Sequence, residues 1–510
     1  MKRILDTVHG YIMVPNEFVK YIVDTIYFQR LRRIEQTSIR SVYPSARHDR
    51  FIHSLGVFHI GSLIVNHLEK EAEGCHFWGE THTTMMVVFN SYLSACLLHD
   101  VAHAPFSHTF EKYYGQKSYL AEMLKTEVSN DKFSQDLEKI REIDEPNYHE
   151  YLSAWVAHNK FKEGLKRMNL DLELIVRMIT GVFYGVEKDT HQLHNCFISL
   201  LHGKVIDADR LDYACRDVWA SGYSTSSIDL RRLISALHIK RIEDDYVVCF
   251  ESNSINEIEG LLNVKDFQVK YVLNHHVVSY EQWLLKQAAE WMALQYFPQG
   301  EVENPGYLAL QKILNKESIV EEIDIPTLNL KVSNISDDDL IFLMKQDANN
   351  PYYRKWASRQ YAHFALWKSP DEFYHFFPNI DRDRSLEHCD FEGVIHAFLE
   401  KEGIHKEDVV ITKAEYKPRV KMDSLYLVVA NDVVRYTDIY PNTKTLNKNK
   451  VFYYVFVKKT STDREKIDCL KRKLIQGLKD IIISLYKCFI DKVKVDIEKC
   501  PTPTPKIPNE

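Results

Sequence analysis

The chain has no surplus of positive charge, no paired cysteines and no long apolar run. Its 510 residues carry a formal net charge of −7. That argues against a protein that coats nucleic acid indiscriminately, while leaving room for a local basic groove. Nine cysteines are scattered along the chain with no CxxC pair. This excludes a disulfide framework and reads as reduced thiols in the cytosol. No stretch approaches the roughly 18 apolar residues that span a bilayer, and the N-terminal MKRILDTVHG lacks the apolar centre of a signal peptide. There is no internal repeat. The expectation is a soluble, cytoplasmic protein without a membrane partner, long enough for roughly two to four domains.

What the chain does have is one dense stretch at residues 90–111, NSYLSACLLHDVAHAPFSHTFE. Its apolar first half reads as a buried helix, and it then delivers His99, Asp100, His103, His108 and Glu111 in quick succession. Imidazole nitrogen and carboxylate oxygen together suit a divalent transition metal. Pro105 has no N–H to continue a helix. The helix is therefore expected to end just past the His-Asp dyad, with His108 and Glu111 on a new turn facing back. Two residues cannot hold a catalytic metal, so further ligands must come from elsewhere.

Asn16 is a good N-cap for a helix that runs through Phe18, Ile22 and Ile26 into the arginine-rich FQRLRRIEQ, whose charges read equally as a solvated face. ARHDRFIHSLGVFHIG predicts a helix offering His53 inward, with Arg50 one turn earlier. Residues 115–146 are polar with little periodicity and read as an exposed insertion, after which His149-Glu150 opens an amphipathic helix. In KVIDADRLDYACRD, residues Asp209, Arg210, Tyr213 and Asp217 fall along one side of a helix; the blander reading is a salt-bridged surface helix. Tyr246–Phe250, DVVITKA, DSLYLVVAN and VFYYVFVKK predict strands, and residues 258–296 a long helix. Pro298, Gly300 and Pro305 mark a boundary. The expected domains are 1–298, a C-terminal lobe at 299–460, a helix at 461–497 and a disordered proline-rich tail at 498–510.

The words HDRFIHSLGV, LLHDVAHAPFSHTFE, YHE and IDADRLDYACRD, in that order, resemble the HD-domain metal-dependent phosphohydrolases. More narrowly, the chain is similar to the deoxynucleoside triphosphate triphosphohydrolases: the dGTPases and the branch of the vertebrate sterile-alpha-motif/HD enzyme, with no sterile alpha motif seen here. The resemblance is clear over residues 1–298 and faint over 400–460. It implies a mainly α fold, an HD helical core with a smaller α+β C-terminal lobe. The implied metal ligands are His53, His99, Asp100 and Asp209, with Asp207 the neighbouring candidate. They would hold one divalent transition metal (Mn, Fe, Zn or Ni), and Mg²⁺ would accompany the nucleotide phosphates. His108 and Glu111 match the catalytic histidine and its acidic partner, and His103 and His149 match histidines facing the phosphates. Arg50 and Arg210 match phosphate contacts; Tyr213 and Asp217 match residues at the sugar, and Gln36 is a further substrate-binding candidate.

The same resemblance implies regulation. Lys2, Asp24, Gln29 and Arg32 match positions that hold an activating guanine nucleotide such as GTP between subunits. Val42, Tyr43 and Arg232 match a second, dNTP effector site. Implied partners are a dNTP substrate, these effectors, copies of the chain in a homo-oligomer (a tetramer), and weakly bound single-stranded nucleic acid. Thr37-Ser38, Lys265, Leu273-Asn274 and Val247–Ser252 depart from the pattern, at positions tied to base preference and effector identity. Alternative readings are an HD enzyme acting on another phosphoester (a monophosphate, cyclic dinucleotide or alarmone) and a non-catalytic nucleotide sensor.

Overall fold

The structure is a computed structural model that describes residues 1–74, 76–185, 189–223, 228–243, 245–378, 390–416, 422–441 and 450–498. It is mainly helical, with an HD-type core and a smaller strand-containing C-terminal region. The described residues fall into two compact units. One comprises those of Met1–Leu273, Glu281–Ser358 and Pro418–Lys448; the other, those of Asn274–Tyr280, Arg359–Lys417 and Asn449–Glu510. The boundary position at residue 298 lies inside the first unit. The tail at residues 499–510 lies outside the described residues.

Two helices form the centre of the first unit. Arg50–Gly74 carries buried Phe51, Leu55, Phe58, Ile60, Ile64 and Leu68, and packs against His82–Leu98. Gly61 makes that packing possible, since a Cβ there would press on Cys96 and Tyr92. By length and composition the Arg50–Ala72 stretch is apolar enough to cross a membrane, which corrects the reading that no such run exists. It is 67% buried inside the protein, as a core helix is. Tyr148–Lys160, Leu172–Thr180 and Asp189–Leu201 surround the pair, and Gly181 closes the second of these in a left-handed cap at φ 67°.

Several local expectations are revised. Lys2–Asp6 and Gly10–Val14 form an antiparallel hairpin turning at residues 7–9. The first helix is broken, because Thr25 is extended and caps a fresh turn at Phe28 N, 3.4 Å away. Residues 115–146, expected as an exposed insertion, form two helices, Lys117–Val128 and Asp131–Asp144. Their sparse apolar residues Leu120, Leu124, Phe133 and Leu137 are all buried, and Asp136 pairs at 3.1 Å with the fully buried Arg177. The expected long helix at 258–296 is two, Ile255–Phe267 and His276–Tyr296, separated by a wider turn.

All four sequence-predicted strands are present, each in a sheet. Leu237–Ile242 pairs antiparallel with Asp245–Glu251, which pairs parallel with Tyr426–Val429, which pairs antiparallel with Asp432–Arg435. In the second unit Lys450–Lys458 lies between His363–Ala365 and Val409–Tyr416, antiparallel to both. Its residues Phe452–Val457 are buried, as befits a central strand.

Candidate active site

The His82–Leu98 helix stops one residue before the His-Asp dyad, not just past it. His99 N still reaches Ala95 O at 2.9 Å, but Val101 N turns to Leu98 O and His103 N to Asp100 O, so the chain tightens into successive short turns. After Pro105, both Phe106 (φ 53°) and Ser107 (φ 52°) are left-handed, a conformation costing about 1 kcal/mol or more at each non-glycine residue. The surroundings hold it. Phe106 N donates to Asp337 Oδ1 at 2.6 Å, and Arg30 ties His103 O (2.8 Å) to Ile335 O (2.7 Å). These short turns place five titratable side chains in one hollow.

His53, His99 and Asp100 offer donor atoms within 4.8 Å of one another. Asp209 joins them, its Oδ1 lying 3.0 Å from His53 Nε2 and 3.6 Å from His99 Nε2. Asp207 does something else. It caps the Ala208–Ser221 helix by accepting from Arg210 N at 2.6 Å and also accepts from Gly203 N at 3.1 Å.

The two histidines are held in one tautomer. His53 Nδ1 donates to Asp212 Oδ2 at 2.7 Å, and His99 Nδ1 donates to Cys96 O at 3.0 Å. Each therefore turns the Nε2 lone pair into the hollow, and both Nε2 atoms are buried without a hydrogen-bond partner among the described residues. Orphaned lone pairs facing two carboxylates fit a divalent transition metal by donor chemistry and by outer support. The charges agree with this. Burial opposes a charged His53, yet Asp209 and Asp212 push it up to about 10. Burial likewise opposes Asp209, yet His53 and His99 hold it well below the usual carboxylate range. The hollow is built to retain positive charge.

A second cluster adjoins the first. The buried Glu111 carboxylate is met at Oε1 by His149 Nδ1 (2.9 Å), His108 Nδ1 (3.0 Å) and His103 Nδ1 (3.1 Å). His103 and His149 stack with ring centroids 4.2 Å apart, so they cannot comfortably both be cations. Burial, with Arg50 and His149 nearby, drives His103 well below the ordinary imidazole range. For His149 burial acts the same way, but Glu111 outweighs it and raises the group to about 9. His149 is the cation and His103 the neutral ring. His108 is the exposed member, 68% accessible, with Nδ1 turned to Glu111 and its other nitrogen left for a ligand.

The remaining predicted residues have partners of their own. Arg50 is buried, with Nη1 2.6 Å from Asp100 Oδ2, Nε donating to Ser107 Oγ and Nη2 to Gln36 O. In this arrangement Arg50 braces Asp100. The Gln36 side chain is buried, with Oε1 lacking a partner among the described residues. Arg210 Nε lies 3.3 Å from Tyr213 Oη, and Asp217 accepts from His48 Nε2 at 2.8 Å. Toward the N-terminus Lys2 pairs with Asp24 at 3.0 Å, Arg32 Nε donates to Gln29 Oε1 at 2.8 Å, and Arg32 stacks over Phe51 at 3.5 Å. Tyr43 touches Tyr223, their ring centroids 5.8 Å apart, and follows Val42 on one turn. Arg232 is apart from these, held by Glu257 at 3.2 Å and Asn253 O at 3.0 Å.

Sequence reading passed over the supports. Asp212 is fully buried and, besides His53, takes His9 Nε2 and both Nε and Nη2 of Arg216, which also reaches Asp6 at 2.9 Å. Gly56 lies beneath this pair, and a Cβ there would collide with Asp212. The i, i+4 spacing of Asp212 and Arg216 in RLDYACRD was the available signal. His48, Arg30 and Asp337 carried none.

Residues 50–180 match the profile of the HD domain, a span that includes every site histidine but not Asp209. The chain is 28% identical over 281 residues to the protein YwfO of Bacillus subtilis, covering 54% of this chain and 52% of that one. It is 25% identical over 288 residues to a deoxynucleoside triphosphate triphosphohydrolase SAMHD1 homolog of Dictyostelium discoideum, covering 56% and 48%. The aligned part thus spans about half the length of these two relatives. A solved phosphohydrolase of Bacteroides thetaiotaomicron shares the fold at 20% identity, with TM-score 0.59, over 90% of this chain and 99% of that one. Residues 50–180 thus form an HD domain, with donors for a divalent metal in the hollow they line.

Proposed function

We propose that the chain hydrolyses deoxynucleoside triphosphates to deoxynucleoside and tripolyphosphate. The observation that supports this best is the adjacency of two groups: four convergent metal donors, and a Glu111 carboxylate that aligns three imidazoles beside them. A bare nucleotide sensor has no use for an array of oriented proton carriers. The similarity to the Dictyostelium enzyme points to the substrate class.

His53, His99, Asp100 and Asp209 would hold the metal, which when bound supplies Lewis acidity to phosphoryl oxygen. The protein's own groups do the rest. Cationic His149 faces the phosphates and offsets the charge that builds on them. His108, oriented by Glu111, delivers the proton to the leaving 5′-oxygen as water attacks the α-phosphorus and the P–O5′ bond breaks. Tyr213 lies beneath the sugar and leaves no room for a 2′-hydroxyl, while Gln36 and Asp217 meet its remaining edge. Arg210 meets the phosphates, with Mg²⁺ accompanying them.

Regulation belongs to the same reading. Lys2–Asp24 and Gln29–Arg32 form an exposed set able to meet phosphates and a guanine edge, and a nucleotide held there between subunits favours a tetramer by mass action. The test is to assay purified protein with Mn²⁺ against dNTP, NTP and cyclic dinucleotide mixtures, each alone and in pairs. Release of tripolyphosphate from dNTPs alone supports the proposal. Turnover restricted to a monophosphate or cyclic dinucleotide assigns the site to another phosphoester, and no turnover with retained binding leaves a sensor.

A further inference from the structure

A third group of donors lies away from the catalytic hollow. His67 and Glu71 are one turn apart on the Arg50–Gly74 helix, on the same face. His53 is 14 residues before His67 on this helix, so the two groups are separated by about 21 Å of helical rise. Opposite stands the hairpin of Leu237–Ile242 and Asp245–Glu251, in which His238 is paired with Cys249. Paired residues share a face, and Glu251, two residues beyond Cys249, shares it too. His67, Glu71 and His238 offer donor atoms within 4.8 Å of one another. Glu71 Oε1 lies 2.6 Å from His238 Nδ1, and Glu251 Oε1 lies 3.1 Å from His238 Nε2. The other Glu71 oxygen, Oε2, is buried with no hydrogen-bond partner among the described residues.

We propose that His67, Glu71 and His238 form a second metal site, structural in role, for a zinc-class divalent cation. Two imidazoles and a carboxylate are a borderline nitrogen–oxygen donor set that zinc accepts. Glu251 meets the other nitrogen of His238 and so fixes which one turns to Glu71. The helix spacing supplies two ligands from one rigid element and the hairpin supplies the third, so an ion here fastens helix to sheet.

Full-length protein is dialysed against zinc and then against metal-free buffer, and retained zinc per chain is measured. Two equivalents are expected for wild type, one for Asp209→Ala and one for Glu71→Gln, a near-isosteric change that keeps a hydrogen bond to His238. In the Asp209→Ala background zinc should still raise Tm, and adding Glu71→Gln should abolish that rise. One equivalent in wild type, lost altogether in Asp209→Ala, would reduce the cluster to an ion pair. A zinc count unchanged by both Glu71→Gln and His238→Ala would overturn the site equally.

Discussion

Asp212 takes the Nδ1 hydrogen of His53 at 2.7 Å, and so fixes which nitrogen of that ligand faces the metal hollow. The carboxylate is fully buried and leans on Arg216, which leans in turn on Asp6 of the N-terminal hairpin. An imidazole on one helix is thus set by a carboxylate on another, which is held by the first strand of the chain.

Asp212→Asn should weaken metal binding by about 10–100-fold, the usual worth of such an outer partner. Asp6→Asn unseats Arg216 without touching His53, so it should lower Tm while sparing metal affinity. Chelator competition on both variants separates the two effects. Equal metal affinity in Asp212→Asn and wild type would remove Asp212 from this role.

Asp209→Ala should lose the ion and all turnover while remaining folded. Asp207→Ala loses a helix cap, costing about 1 kcal/mol, and should keep the ion. Elemental analysis of the two proteins decides between the neighbouring aspartates. A fully loaded Asp209→Ala protein would return the assignment to Asp207.

His108→Ala should keep metal and substrate binding and lose about 10² or more in rate. Its exposed ring is not part of the core, so the fold should be unaffected. A rate within a few-fold of wild type would pass the proton to His103 or His149.

The His149–Glu111 pair should shape stability with pH in chelated protein. His149 is raised from 6.5 to about 9, burial notwithstanding, so its contribution is full below about 6.5 and fades as pH rises toward 9. Burial opposes ionised Glu111, yet His108 and His149 hold it well below 4.5, so its contribution is present above that value and fades as pH falls. Tm should therefore decline between pH 7 and 9, and Glu111→Gln should flatten that decline. A slope untouched by the substitution would place the titration elsewhere.

Asp24→Ala breaks an ion pair that is half exposed on both sides, so stability should change by no more than about 0.5 kcal/mol. Stimulation of one dNTP's hydrolysis by a second nucleotide should disappear, together with the nucleotide-dependent oligomer seen by light scattering. Identical rates in all nucleotide pairs, for both proteins, would describe an unregulated hydrolase. Tyr213→Ala should meanwhile narrow the gap between dNTP and NTP turnover in the same assay.

The chemistry was legible because its residues sit in short, dense words. His99, Asp100, His103, His108 and Glu111 are near neighbours in sequence and remain so in space. The β-branched and aromatic strands were legible for the same local reason. The hairpin at residues 2–14 was not, because its alternation is short and one face is exposed. The helices of 117–144 hid behind charge: four apolar anchors in a polar segment are too sparse to show a period, yet each is buried. The extent of the His82–Leu98 helix misled in the other direction. Pro105 forbids a helix further on, but turns tightened around the dyad had already ended it.

The loop that carries the chemistry is held from far along the chain. Phe106 and His103 are secured through Asp337, Arg30 and Ile335, more than 200 residues beyond the dyad at two of those points. Residues 50–180, the span that matches the HD profile, therefore carry the loop without the contacts from residues 335 and 337 that secure it. A fragment stopped at residue 298 would keep every proposed ligand and proton carrier and still lack the anchor that keeps two left-handed residues in place. In this protein, the unit of recognition and the unit of operation are different lengths of chain.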